Sequence, residues 1–135
     1  MSFQLHPQLE KDCFLLGRLP LSQVLLLNDQ RYPWIILVPQ RADLRELIDL
    51  TPEDQQQLLT ESNRVQRALL DLFSPEKLNV GALGNLVPQL HLHHIARNQD
   101  DPAWPGPVWG HSPALAYENS LLEQRSELIT NTLQL

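Results

Sequence analysis

The stretch from Thr51 to Pro75 constrains the fold of this chain more than any other. Thr51 can cap a helix N-terminus, Pro52 suits the first helical position, and Glu53 and Asp54 complement the positive end of the helix dipole. Leu58, Val65, Leu69 and Leu72 then recur at intervals of seven, four and three, which gathers them on one helical face. Gln55, Gln56, Arg64 and Asp71 fall elsewhere on the helix and can be solvated. Ser74-Pro75 closes it. A helix of this length with a single apolar stripe requires a second layer to cover that stripe.

The second layer is legible on both sides of it. Cys13-Phe14-Leu15-Leu16 and Val24-Leu25-Leu26-Leu27 are short apolar runs separated by Gly17-Arg18-Leu19-Pro20, the pattern of two strands joined by a turn. Trp34-Ile35-Ile36-Leu37-Val38-Pro39 is a third strand, β-branched and closed by proline. A shorter helix is predicted over Leu44–Leu50. Beyond the long helix, Lys77-Leu78-Asn79-Val80 and Leu86 through Ile95 read as two more strands, with Gly81–Asn85 as the hairpin loop between them. Residues 98–113, rich in Pro, Gly and Trp, form an irregular but ordered segment, and a weaker helical pattern begins at Leu115 and includes Leu121, Leu122, Leu128, Ile129 and Leu133. The expected fold class is α+β: about five antiparallel strands, with helices packed to one side.

A length of 135 residues makes one domain, spanning 1–135, the expectation. With 42% hydrophobic and 19% charged residues the chain can bury a core and is unlike a disordered segment. No apolar run approaches the ~20 residues of a membrane helix. Met1-Ser2-Phe3-Gln4-Leu5-His6 lacks the basic and apolar regions of a secretion signal. The single cysteine, Cys13, permits no internal disulfide and points to a reducing compartment. A cytoplasmic location and no membrane partner are therefore expected. A net charge of −6 argues against broad binding to a nucleic-acid backbone.

Chemistry concentrates in one place. Three of the five histidines are His91, His93 and His94. On a strand, Gln89, His91, His93 and Ile95 share one face, and Leu90, Leu92 and His94 share the other. Two imidazoles side by side suit a nucleophile beside a proton donor, or two ligands of a metal. A metal site needs three or four ligands, and only His6, His111, Cys13 or scattered carboxylates are available to complete one. Cys13 sits in an apolar run and reads as core. His94, on the opposite face, reads as a packed histidine. Gly81 and Gly84 match no Walker or dinucleotide pattern.

The run Gly84-Asn85-Leu86-Val87-Pro88-Gln89-Leu90-His91-Leu92-His93-His94-Ile95-Ala96-Arg97 resembles the signature of the histidine triad superfamily, His-φ-His-φ-His-φ-φ with φ apolar. The likeness extends over the early strands, the strand ending at Pro39 and the long helix. The segment from Asp101 to Gly110 is similar to the tails of bacterial members described as diadenosine tetraphosphate hydrolase-like. This resemblance implies catalysis by His91, His93 and Gln89. His91 matches the middle histidine, which attacks an α-phosphorus and forms a nucleotidyl-histidine; His93 matches the third, which contacts phosphate and aids proton transfer.

Gln89 stands where the first histidine would be and can exchange hydrogen bonds but not titrate. The resemblance also implies substrate contacts from Asn28 or Asp29 (ribose), Asn79 (phosphate), Asn85 and Trp104. Asn85 and Leu86 replace the family's Gln and Ser/Thr, and Ile35 stands where many relatives have a further histidine. No cofactor and no metal are implied. The expected function is hydrolysis or transfer at the α-phosphate of a dinucleoside polyphosphate or nucleoside phosphoramidate by a homodimer. A nucleotide-binding or sensor module with little catalysis is the alternative.

Overall fold

In a computed structural model, residues 2–135 are described. Helix α1 (Pro7–Asp12) leads into strands β1 (Cys13–Arg18), β2 (Ser22–Leu27) and β3 (Trp34–Pro39). A single 3-10 turn, Leu47–Asp49, precedes helix α2 (Pro52–Phe73). Strands β4 (Lys77–Gly81) and β5 (Leu92–Arg97) follow, and helix α3 (Asn119–Leu133) ends the chain. The five strands form one antiparallel sheet in the order β1-β2-β3-β5-β4. The fold is α+β, as the patterning predicts.

The start of α2 follows from its local chemistry: the Thr51 hydroxyl accepts the Asp54 N–H at 3.1 Å. Its stripe of Leu58, Val65, Ala68 and Leu69 packs on the side of the sheet formed by Val24, Leu26, Ile35, Leu37, Leu92 and Ala96, with Ile129 and Leu133 of α3 beside it. Each fully buried leucine or valine there contributes about 1.5–3 kcal/mol relative to an exposed one. The opposite sheet face carries Leu25, Trp34, Ile36, Val38 and Ile95. It is covered by Leu9 of α1 and by Ala103 and Val108 of the Pro-rich segment.

Four local expectations change. Residues 86–91 are not strand: Pro88 has no N–H to give a ladder, and the Leu90 N–H bonds the Leu44 carbonyl at 3.0 Å, so β5 begins only at Leu92. The predicted 44–50 helix contracts to the 3-10 turn. Helix α3 starts at Asn119 because residues 115–118 run extended along the turn after β2, where Tyr117 N–H donates to Asn28 Oδ1 and Glu118 N–H to Gln30 Oε1. Finally, α1 is a helix that the patterning does not predict, and it lies on the second sheet face. Its signal was Pro7 at the first position after His6, whose Nδ1 accepts the Gln8 N–H at 3.0 Å.

Candidate active site

The alternation of β5 sends His93 and His94 to opposite faces. His94 pairs with Ile35 across the ladder and points at α2, whereas His93 pairs with Ile36 and points away from it. His91 precedes the strand, yet its ring stands 4.8 Å from that of His93, edge to face. The two imidazoles are brought together as the sequence spacing predicts, by a loop approach rather than by strand pleating.

Hydrogen-bond partners fix the proton positions. His91 Nδ1 lies 2.7 Å from the Gln89 carbonyl oxygen. A carbonyl only accepts, so Nδ1 carries the proton and Nε2 is left with its lone pair. For His93 the roles reverse: the Trp34 indole N–H donates to Nδ1 at 2.9 Å, which leaves the ring proton on Nε2. Protonating Nδ1 would cost that bond. Burial, together with the neighbouring His91 and His94, pushes the His93 pKa down to about 3. A nucleophilic nitrogen thus stands beside a neutral N–H donor. Such a donor can steady charge on a phosphoryl oxygen without surrendering a full proton.

His91 sits on the wall of a cleft of about 910 Å³. Leu27, Trp34, Leu83, Val108 and Trp109 give much of its lining an apolar character, and Lys11, Asn28, Asp29 and Asn85 supply polar groups. A smaller cleft of about 330 Å³, bordered by Arg45, Ile48, Ala82 and Gln89, also reaches His91, so the imidazole stands between two spaces. Gly84 is at the rim of both and has φ of +75°, a conformation that a side chain would strain.

The expected substrate residues separate into two sets. Asn28, Asp29 and Asn85 line the large cleft. Asn28 accepts the Tyr117 N–H, and Asp29 holds Arg31 through both carboxylate oxygens at 2.9 Å. Asn79 and Trp104 are not on the cleft wall. Asn79 Oδ1 accepts from Arg97 Nη1 at 2.8 Å, and the Trp104 ring lies 5.8 Å from the same guanidinium. Gln89 directs its side chain to the N-terminal segment: its Oε1 accepts the His6 N–H at 2.8 Å and its Nε2 donates to the Gln4 carbonyl at 2.9 Å.

Ile35 is buried against the helix layer, and it is Trp34, one residue earlier, that meets His93. Leu86 is 95% exposed at the cleft mouth. Two contributors escaped sequence reading. The patterning places Trp34 only in an apolar strand, and Trp109, whose ring is 5.5 Å from that of His93, only in the irregular 98–113 segment. Strand parity from His93 through the β3 ladder was the signal for Trp34; nothing in the irregular segment announced Trp109.

Arg97, at the end of β5, anchors the cover of this site. Only 2% exposed, it bonds Asp101 bidentately at 2.8 and 3.0 Å, and also Asn79 and the Gly106 carbonyl. Burial raises the Asp101 pKa, but Arg97 and the N–H groups of Asn98 and Trp104 outweigh it and hold the carboxyl below the usual range. Among the described residues no group of three or more His, Cys, Asp or Glu side chains is assembled to hold a metal ion, and no helix is long and apolar enough to cross a membrane.

Comparison with known proteins agrees with this architecture. The HIT domain family matches residues 8–100, and the chain belongs to that family. Histidine triad proteins of solved structure from Bradyrhizobium japonicum (46% identical, TM-score 0.96) and Marinobacter aquaeolei VT8 (47%, 0.97) are similar over nearly the whole length. The first aligns over 98% of this chain and 99% of its own, the second over 99% and 98%. An asymmetrical bis(5'-nucleosyl)-tetraphosphatase from Schizosaccharomyces pombe is 36% identical over 72 residues. That match covers 50% of this chain and 39% of the yeast protein.

Proposed function

We propose that this chain is a nucleotide hydrolase or transferase that cleaves at the α-phosphate of a dinucleoside polyphosphate or a nucleoside phosphoramidate. The observation that carries this reading is the bond from His91 Nδ1–H to the Gln89 carbonyl, which leaves Nε2 as a free nucleophile at the wall of a nucleoside-sized cleft. A bond forms from Nε2 to the α-phosphorus as the bond to the leaving oxygen or nitrogen breaks. A polyphosphate departs as its anion, and an amine takes its proton from solvent water. A second water then adds its hydroxyl to phosphorus as the phosphorus–nitrogen bond breaks, releases its proton to solvent, and so yields a nucleoside monophosphate and the neutral imidazole. The His93 Nε2–H supports charge on the phosphoryl oxygens.

Asn28, Asp29 and Asn85 are assigned to the nucleoside end of the cleft. Asn79 and Trp104 act on the cleft only indirectly, through Arg97. Its bonds to Asp101 and the Gly106 carbonyl hold the segment that carries Val108 and Trp109. Residues 1–135 act as one domain, in the cytoplasm, without a metal or cofactor. The assembly is a homodimer, supported by the apolar surface of Leu47, Ile48, Leu59 and Val80 between α2 and the β4 edge. Light scattering at the mass of a monomer would remove that assembly.

The test is intact-protein mass spectrometry after a non-acidic quench, with diadenosine tetraphosphate and with adenosine phosphoramidate, alongside product chromatography. The expected result is one nucleotidyl mass on the wild type, absent in His91→Ala. Nucleotide binding by calorimetry with neither adduct nor product would replace the enzyme with a binding module.

A further inference from the structure

We infer that Gln89 and the N-terminal strap it grips, residues 4–12, are a positioning device for the nucleophile, so that the segment before β1 is part of the active site. The inference rests on the proposed role of His91 and extends it to a residue and a segment that hold the nucleophile's partner in place.

The backbone oxygen of Gln89 is the atom that selects the His91 tautomer. That oxygen does not belong to a strand, since β5 begins three residues later at Leu92, so no sheet ladder holds it. Two other ties do. The next residue, Leu90, donates its N–H to the Leu44 carbonyl. The Gln89 carboxamide is bound at both ends, Oε1 to the His6 N–H and Nε2 to the Gln4 carbonyl. A carboxamide offers an acceptor and a donor side by side, which matches the N–H and C=O that an extended backbone presents. The far end of the strap is fixed in turn. Leu9 is buried in the second core cluster, the Asn28 N–H donates to the Asp12 carbonyl at 2.9 Å, and Lys11 and Asp12 line the large cleft. The strap therefore ties one wall of the cleft to the carbonyl that orients the reactive ring.

A neutral imidazole also has one donor and one acceptor, but they point apart across the ring, so it could not meet the His6 N–H and the Gln4 carbonyl side by side. Glutamine in place of a histidine thus acts as a clasp on the chain's own backbone. Loss of the clasp lets the Gln89 carbonyl shift. The His91 proton can then move to Nε2, which removes the lone pair from the side that faces the cleft.

The experiment compares Gln89→Ala and Gln89→Glu with wild type in the full chain. Nitrogen-15 NMR of the histidine rings reads the tautomer, and steady-state kinetics with diadenosine tetraphosphate read kcat and KM separately. Gln89→Ala is expected to turn His91 from a pure Nδ1–H form into a mixture and to lower kcat by about tenfold to a hundredfold, with KM changed by less than about threefold. Gln89→Glu keeps the acceptor for His6 N–H and loses the donor to Gln4, so it should fall between the two. An unchanged His91 tautomer and unchanged kcat in Gln89→Ala overturn the inference. So does a loss confined to KM, which would make the strap a binding wall only. Should wild type show no turnover, the proposed function fails, and the ring-nitrogen spectra still decide whether the strap sets the tautomer.

Discussion

His93 and His94 are neighbours in sequence, buried on one strand, and both are driven to their neutral forms. Burial pushes His94 down to about 4, even though bonds to the Ile35 and Leu92 carbonyls raise it in part, and His93 falls to about 3. Their surroundings differ completely. Both His94 nitrogens are used: Nδ1–H faces the Ile35 carbonyl at 3.3 Å, and Nε2 takes the Ser62 hydroxyl at 2.8 Å, with Gln66 donating to the same hydroxyl from one turn along α2. His93 has one nitrogen held by Trp34 and the other unpartnered among the described residues, beside His91. Neither burial nor a depressed pKa separates a structural histidine from a reactive one. An unspent nitrogen does, and His93 has the one that the proposed function requires.

The sharpest way to break this contrast is to delete each ring in turn. His93→Ala is expected to lower kcat by about 10²–10³, the range for one lost oxyanion donor, with a smaller loss of stability from the one Trp34 N–H left unpaired. His94→Ala should do the reverse, costing about 2–4 kcal/mol of stability by leaving the Ser62 O–H without its imidazole acceptor beside a new void, with kcat per folded molecule retained. Urea titration and kinetics on both variants check the pair. A large kcat loss in His94→Ala with no loss of stability would erase the distinction.

Acid should reveal what the two rings share. Each binds its proton near pH 6.5 when unfolded and only at about 4 (His94) or about 3 (His93) when folded. The unfolded state therefore holds more protons in that window. Their stabilisation is complete above pH 6.5 and is lost as pH falls toward the folded values, at roughly 1.4 kcal/mol per pH unit for each ring. The slope of unfolding free energy between pH 4.5 and 6 should flatten by one such increment in His94→Ala; an unchanged slope means that carboxylates set the acid limb.

Trp34→Phe is the smallest perturbation. It removes one hydrogen bond from His93, frees Nδ1 and raises the His93 pKa. Turnover at neutral pH should fall by about two- to tenfold, the worth of one such bond. A pH–rate profile with its acid limb moved upward is the signature.

The same contrast explains what could be read in advance. The alternation of β5 is enforced by two buried faces, so the opposite placement of His93 and His94 followed from parity, as did the helix whose cap and stripe are both local. The approach of His91 was not local. It depends on Pro88 ending any ladder, on Leu44 taking the Leu90 N–H, and on Gln89 reaching back more than eighty residues to His6. The short α1 and the extended 115–118 segment were hidden for the same reason. Their partners, Leu9's cluster in one case and Asn28 and Gln30 in the other, lie far away in sequence.

Arg97 terminates the strand that bears the histidines and clasps Asp101 and the Gly106 carbonyl. The residues beyond that staple, Val108 through Ala116, include much of the cleft rim but contribute nothing to the sheet. The segment thus has two parts: Val108 and Trp109 pack against the sheet face and His93, and the residues after them border the cleft. On the proposed function, Ser112, Ala114 and Ala116 are the rim positions whose change would alter what the cleft admits while both imidazoles keep their neighbours, because these three lie outside both core clusters.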